Sequence, residues 1–488
     1  MPRVAVIVPS SDHGVLQARK VACSRIAGQD SLVQIIGLSE AMGADDTDYA
    51  TVLAAPELLE IVKALQSEEM DSILIDSLRD PGLSAARQIS DIPVIGTGQA
   101  AFHFAALLAD TFAVITDSRA KASAVQRNIS EHCLASRVAS IRIADRQPSS
   151  DDPKEIASAF AKACSNAIRA DGAQAIVLDT HGRQDILELI EEILHETQLS
   201  ALFLDATQVA LKLAEALGAM RLSHSKRSYP MPPSLDAPGY SFKKPIILDE
   251  APGHLALKAS LRVIVPSSEP GVNKEMAGIY RAYCQPGVDL DATNLPQGPI
   301  SIESEYDDAL ASPQIAQLAL AAEAAGRDAV IIDCMADPGL RAAQEITSIP
   351  IIGAGIASMM LASILADKFS IITVLEQSIP EIERQIRRYG LASRVSSVRA
   401  VEIHVQQLRS DKNALVNQFV EAMRLAIEQD GAHLIVPGCT GMVGIVELVR
   451  PMAEQHGVPI VDQNEAVVRL SELLIMLSQS RAYQGFSQ

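Results

Sequence analysis

Two cysteines, Cys334 and Cys439, stand where a thiol could do chemistry. Cys334 follows the apolar run AVIID and opens into CMADPGL, while Cys439 follows HLIVPG and opens into CTGM, so each lies where a buried strand runs out into a turn. Asp337 suits a helix N-cap and Pro338 a first helical position, and MVGIVELVRPMAEQ reads as helix after Cys439. The positive end of a helix and its exposed N–H groups lower a thiol pKa from about 8.5 towards neutrality, giving a thiolate that serves as nucleophile or base. Placed alike and 105 residues apart, the two thiols would face each other across one cleft. Cys23, Cys133, Cys164 and Cys284 lie inside helical or irregular stretches and read as small hydrophobes.

The elements around these residues are written twice. DSLRDPGLSAARQISDIPVIGTG (76–98) and DCMADPGLRAAQEITSIPIIGAG (333–355) agree at 13 of 23 positions with a constant offset of 257. The same offset carries VIVPSS (6–11) onto 263–268, LADTFAVIT (108–116) onto LADKFSIIT (365–373), and LASRV (134–138) onto 391–395. At offset 259, DGAQAIVLDTHG (171–182) meets DGAHLIVPGCTG (430–441). The expected organisation is a first unit at 1–220, a Pro/Ser/Gly-rich linker at 221–260 and a second unit at 261–488. In the second unit strands are expected at 261–265, 329–333, 349–353, 369–373, 396–400, 433–437 and 459–462. Near-continuous apolar strands separated by helical patterns predict an α/β fold with parallel sheets covered on both faces, and ligands at the carboxyl ends of the strands.

A net charge of −19, from 41 Lys+Arg against 60 Asp+Glu, argues against nucleic acid as a partner, and 3% aromatics offers few stacking platforms. Six cysteines without a C-x-x-C pair, and no His cluster at metal spacing, suit a reducing cytosol and predict no metal site. MPRVAVIVPSS enters a strand directly, so no export signal is expected, and IIGAGIASMMLASILA (351–366) is too short for a membrane span. The expected chain is soluble and cytoplasmic, with a small-molecule substrate and no membrane or nucleic-acid partner.

Taken together, DCMADPGLRAAQEITSIPIIGAG, VPGCTGM, VIVPSS and QGPISIESEYDDALASP (297–313) resemble the hydantoin and allantoin racemase branch of the aspartate/glutamate racemase superfamily. The resemblance covers nearly all of 261–480 and, more loosely, 1–219. It implies tandem units, each of two similar α/β lobes with a cleft between them, and a cofactor-independent enzyme whose two bases are Cys334 and Cys439. Racemisation takes hydrogen from one face of a carbon beside a carbonyl and returns one to the other, so one sulfur must start as thiolate and its partner as thiol. The backbone N–H groups of Met335, Ala336, Thr440 and Gly441 are placed to hold the developing enolate. By resemblance Ser267, Ser268 and Thr373 touch the substrate. Where related enzymes commonly carry Asn-Thr this chain carries Ser267-Ser268, which leaves open the substrate, expected to be a 5-substituted hydantoin or allantoin. Maleate-isomerase-like or arylmalonate-decarboxylase-like cysteine chemistry is the alternative, as is a metabolite-binding protein.

In the first copy Ser77 replaces Cys334, and Thr180 replaces Cys439 when the DGA segments are aligned without a gap; a one-residue shift would bring Asp179 there instead. A hydroxyl with a pKa far above 10 cannot stand in for a thiolate without a dedicated activator, so this half reads as a degenerate scaffold, or as a different site built from Ser77, Asp179 and His181. GTGQAA (96–101) with Asp117 formally fits a dinucleotide fingerprint, but its twin GAGIAS with Val374 does not, so the glycines are expected to serve tight turns. Asp80 reads as a helix cap, and Glu303 as an acid at a helix start. The fused copies are expected to form an internal pseudo-dimer, with further homo-oligomerisation left open.

Overall fold

The computed structural model describes residues 2–39, 48–145, 152–180, 183–197, 199, 201–235, 242–408 and 410–479. The chain divides into two compact units, one comprising 1–223, 231–256 and 476–488, the other 224–230 and 257–475. Both are α/β, and each contains two separate, mainly parallel sheets flanked by helices.

In the first unit, strands β1 (Arg3–Val8), β2 (Leu32–Gly37), β3 (Ser72–Ile75) and β4 (Val94–Gly96) form a parallel sheet in the order β2-β1-β3-β4. Strands β5 (Phe112–Thr116), β6 (Val138–Ile143), β7 (Ala175–Leu178) and β8 (Leu202–Asp205) form a second, ordered β6-β5-β7-β8. The 221–260 segment contributes two short strands, β9 (Ile246–Ile247) and β10 (Ala251–Pro252), both antiparallel to the edge strand β2. This covers backbone groups that an open edge would expose.

The second unit repeats the plan. Strands β11 (Ala259–Val265), β12 (Val288–Asn294), β13 (Ala329–Ile332) and β14 (Ile351–Gly353) are ordered β12-β11-β13-β14, and β15 (Phe369–Thr373), β16 (Val395–Ala400) and β17 (Ile435–Pro437) are ordered β16-β15-β17. Central strands such as β13 and β15 are buried along their whole length, as their unbroken apolar sequences require, whereas the edge strand β16 is half-buried throughout. The expected strand at 459–462 is reduced to a single bridge, Ile435 to Ile460, and β12 replaces it in the count of strands. Each lobe has its own core. Ile264, Ile315, Val330 and Ile332 pack in the first lobe of this unit, and Ile372, Phe419, Ile435 and Val449 in the second. Among the described residues no helix is long and apolar enough to cross a membrane.

The DPGL turns differ from expectation. The helices after them start at Leu83 and Leu340, each preceded by a glycine at positive φ, Gly82 (67°) and Gly339 (67°). Asp80 and Asp337 are themselves at positive φ (48° and 54°) and do not cap these helices. Their carboxylates instead reach the start of the following helix: Asp337 accepts from the N–H groups of Gly355 (2.8 Å) and Ile356 (2.7 Å), and Asp80 from those of Gly98 (2.9 Å) and Gln99 (2.7 Å). This also accounts for the paired glycines. A Cβ at Gly353 would lie 1.9 Å from Asp337 Oδ1, and one at Gly96 would lie 2.4 Å from Asp80 Oδ1. The place a dinucleotide phosphate would take at that helix start is therefore filled by the chain's own carboxylate, and Asp117 pairs with Lys121 at 2.8 Å.

Candidate active site

In the second unit both cysteines leave the carboxyl ends of parallel strands, Cys334 that of the central strand β13 and Cys439 that of β17, which stands at the end of its three-strand sheet. Cys334 follows β13 by two residues, and its N–H donates to Ile332 O at 2.9 Å. Cys439 follows β17 by the same interval, after Gly438 N–H has donated to Ile372 O at 2.7 Å. A side chain at Gly438 would press on the backbone of Thr373 at 2.9 Å, so the turn runs tight against the end of β15. Neither cysteine forms a disulfide, and both are half-buried. Neither adjoins its helix directly, since those helices begin at Leu340 and Ile445.

The two turns are tied together. Thr440 Oγ1 donates to Asp333 O at 3.3 Å, and Asn464 Nδ2 donates to Thr440 O at 3.1 Å. The buried Tyr280 hydroxyl donates to Asp333 Oδ1 at 2.7 Å and also reaches Asn464 Oδ1 at 3.3 Å. Gln463 Nε2 donates to Cys439 O at 2.9 Å, so the start of the helix Gln463–Gln479 holds the second turn from below. Each thiol-bearing loop thus has a fixed backbone, as a site that must place two sulfurs requires.

The electrostatics run against the expected lowering. Burial pushes the Cys334 thiol well above its ordinary value, opposed by a hydrogen bond from Ala336 N–H and reinforced by negative charge at Cys439, Asp337 and Asp333. The physical reason is chiefly desolvation, which disfavours the thiolate, and the surrounding negative charge adds to it. That Cys439 acts on Cys334 electrostatically also brings the two sulfurs into one neighbourhood.

The other expected site residues take the following positions. Thr373 is buried at the end of β15, beside Gly438. Ala336 turns its N–H to the Cys334 sulfur, Met335 is buried with its carbonyl accepting from Gln385 Nε2 at 2.7 Å, and Gly441 lies where a Cβ would be 3.4 Å from Cys439 Sγ. Ser267 Oγ donates to Ile300 O (2.7 Å) and Ser268 Oγ to Gly298 O (2.8 Å), so both hydroxyl protons fasten the 298–300 loop. Glu303 joins the two lobes of this unit: its carboxylate accepts from Val405 N–H at 2.9 Å and bonds His404 Nδ1 at 2.9 Å. Sequence reasoning missed Tyr280 and Asn464, which lie far along the chain from both cysteines and carry no motif.

In the first unit, strand register resolves the alignment. Ile115 pairs with Leu178 as Ile372 pairs with Pro437, so Asp179 corresponds to Gly438 and Thr180 to Cys439. Thr180 Oγ1 donates to Asp205 Oδ2 at 2.8 Å and is buried, and Asp179 accepts from Thr116 Oγ1 at 3.1 Å. Ser77 Oγ accepts from Arg79 N–H at 3.3 Å. His181 lies outside the described residues.

The family model for Asp/Glu/hydantoin racemases matches this chain twice, over residues 4–214 and 261–471. The chain belongs to the Asp/Glu/hydantoin racemase family. Membership makes it a racemase-type enzyme in tandem form. Among its relatives, a hydantoin racemase from Paenarthrobacter aurescens is 32% identical over 227 residues, 46% of this chain and 95% of that protein. One from Rhizobium meliloti is 34% identical over 186 residues, 38% of this chain and 76% of that one. Among solved structures, the allantoin racemase from Pseudomonas fluorescens is 29% identical, with 45% of this chain and 92% of that one covered at a TM-score of 0.43.

Proposed function

We propose that the second unit, 261–488, is a cofactor-independent two-base racemase or epimerase acting on a cyclic ureide such as a 5-substituted hydantoin or allantoin, with Cys334 and Cys439 as the bases. The first unit, 1–220, lacks both thiols and does not carry this reaction. The observation that supports the reading most is the pairing of two half-buried thiols on turns joined by the Thr440–Asp333 hydrogen bond, one thiol raising the pKa of the other.

Cys439 as thiolate takes the proton from the ring carbon on one face, and Cys334 delivers its S–H proton to the opposite face. For the other enantiomer the roles reverse. The carbanion is held as an enolate on the adjacent carbonyl oxygen, for which the N–H groups of Met335, Thr440 and Gly441 are the donors; Ala336 N–H serves the Cys334 sulfur. Thr373, Ser267 and Ser268 border the substrate. The ring carbonyls acidify the C–H, which suits bases no stronger than thiolates. Relatives named hydantoin racemase support the substrate class.

The test is exchange in deuterium oxide with each enantiomer of a 5-substituted hydantoin, followed by NMR and chiral chromatography. Wild type incorporates label during inversion. Cys334→Ser and Cys439→Ser each abolish inversion with circular dichroism unchanged. Undiminished inversion in either variant refutes the assignment.

A further inference from the structure

The two clefts have diverged in charge. In the first unit a cavity of about 390 Å³ lies between the lobes, bordered by Ser77 and by Arg19, Arg79, Lys121, Arg183, Asp76 and Asp179. Four cations stand in this lining beside two carboxylates, on a chain whose net charge is −19. Carried through the repeat, at offset 257 for the first three and 259 for the last, the same positions in the second unit are Met276, Ala336, Ser378 and Met442. All four cations therefore belong to this copy alone, whereas Asp76 has its twin in Asp333.

Arg19 gives this charge a direction. It is buried at 6% exposure, and its Nε pairs with Asp76 Oδ2 at 2.5 Å. Its Nη1 is buried without a hydrogen-bond partner among the described residues. An unmet guanidinium N–H inside a cavity is costly unless an acceptor enters, and a carboxylate oxygen supplies a charge-assisted one. In the second unit the corresponding carboxylate, Asp333, is held by Tyr280, so the arginine is not needed to position that turn. Lys121 and Arg183 are paired with Asp117 (2.8 Å) and Asp185 (2.6 Å), which stand outside the lining and steady the cations at its wall.

We propose that the first unit retains its cleft as a non-catalytic binding site for a small carboxylate anion, held by Arg19 and Arg79 with Lys121 and Arg183 at the rim. Ser77 at the base position contributes a hydroxyl in place of a thiolate, so the ligand is bound and not turned over. Removing the negative sulfur and adding arginine changes the preferred ligand from a carbon acid to an anion. The site is independent of the chemistry assigned to the second unit.

Isothermal titration of the full-length protein with succinate, at low ionic strength, tests this. The expected result is one saturable site per chain, no binding of the uncharged isostere succinamide, at least tenfold weaker succinate binding in Arg79→Ala and in Arg183→Met, and unchanged binding in Cys334→Ser. Circular dichroism establishes that both arginine variants fold. Absence of saturation by 10 mM succinate on the scale of ordinary metabolite affinities, roughly millimolar or tighter, overturns the proposal. So does equal affinity in wild type and both folded arginine variants, or loss of binding in Cys334→Ser.

Discussion

The proton that Cys334 keeps at neutral pH follows from where its sulfur sits: withdrawn from water, beside Asp333, Asp337 and a second cysteine, with a single N–H in its favour. In the two-base mechanism proposed above, ionising Cys334 removes the proton donor for one direction of turnover, and negative charge at Cys439 disfavours that ionisation further. The expected kcat/KM profile therefore keeps its alkaline limb above pH 9, the ordinary value for this thiol. Stopped polarimetric assays between pH 6 and 11 measure it, and a limb centred at 8 or below would contradict this account. Both sulfurs were legible in the sequence because cysteine at a strand end is rare and the repeat offered a copy without it. The protonation of Cys334 was not legible, since it depends on how far folding withdraws its sulfur from water and on the charges gathered beside it. Tyr280 and Asn464 were invisible for a related reason: a single hydroxyl and a single amide become meaningful only once folding brings them to Asp333. Arg19 could have been found, because comparing unlike positions of the repeat sets it against Met276.

At the scale of elements, the Asp337 carboxylate stitches the turn after β13 to the helix Ala354–Leu365, with further donors in Tyr389 OH (2.6 Å) and Gln385 Nε2 (3.1 Å). Burial nonetheless pushes it up to about 7, and Asp80 in the first unit up to about 6. An acid whose folded pKa is raised binds more protons in the native state than in the unfolded chain. Stability contributed by protonated Asp337 is thus full at low pH, declines as pH rises from about 4 towards 7, and is level above that. Asp337→Asn removes its share of this slope, a few kcal/mol at most on the scale of about 1.4 kcal/mol per pKa unit, while losing roughly 1–2 kcal/mol for one unmade capping bond. Urea melts at pH 5 and pH 8 measure both effects; an unaltered pH dependence in the variant would exclude Asp337 as the titrating group. Apolar strands were readable from their sequences, whereas VDLDATN was not: β12 is an edge strand whose alternating acids point away from the core, so it lacks the unbroken apolar run of a central strand. The helix starts were misplaced because DPG resembles a cap and first turn, and only a glycine at positive φ followed by a distant N–H acceptor reveals the true arrangement.

For the molecule as a whole, the segment between the copies is shared. Residues 224–230 belong with the second unit, where Ser225 N–H donates to Leu365 O (3.0 Å), Lys226 N–H to Gly457 O (3.1 Å), and Ser228 Oγ bonds both Asp367 N–H (2.8 Å) and His433 Nδ1 (2.9 Å). Residues 231–256 belong with the first, where β9 and β10 lie along β2. A fragment beginning at residue 257 therefore lacks these four hydrogen bonds and that from Ser225 Oγ to Gly457 O (3.3 Å), all of which one beginning at 224 keeps. At about 0.5–1.5 kcal/mol each, these bonds predict a loss of roughly 2.5–7.5 kcal/mol. Differential scanning calorimetry of the two fragments compares them, and equal melting temperatures would refute a structural role for 224–230. Composition alone marked this stretch as a connector; its division could not be read, because isolated serines and a Lys-Arg pair carry no sign of which sheet they will meet.

That division bears on descent. Duplication of an ancestral gene made the repeat, but once the connecting stretch had been parcelled out between both products, no single break in the coding sequence restores two intact proteins: a cut before 224 strips one of its edge cover, and a cut after 256 strips the other of its clasp. Fission back to separate genes is thereby obstructed, and the copy without the two thiols is inherited along with the one that bears them.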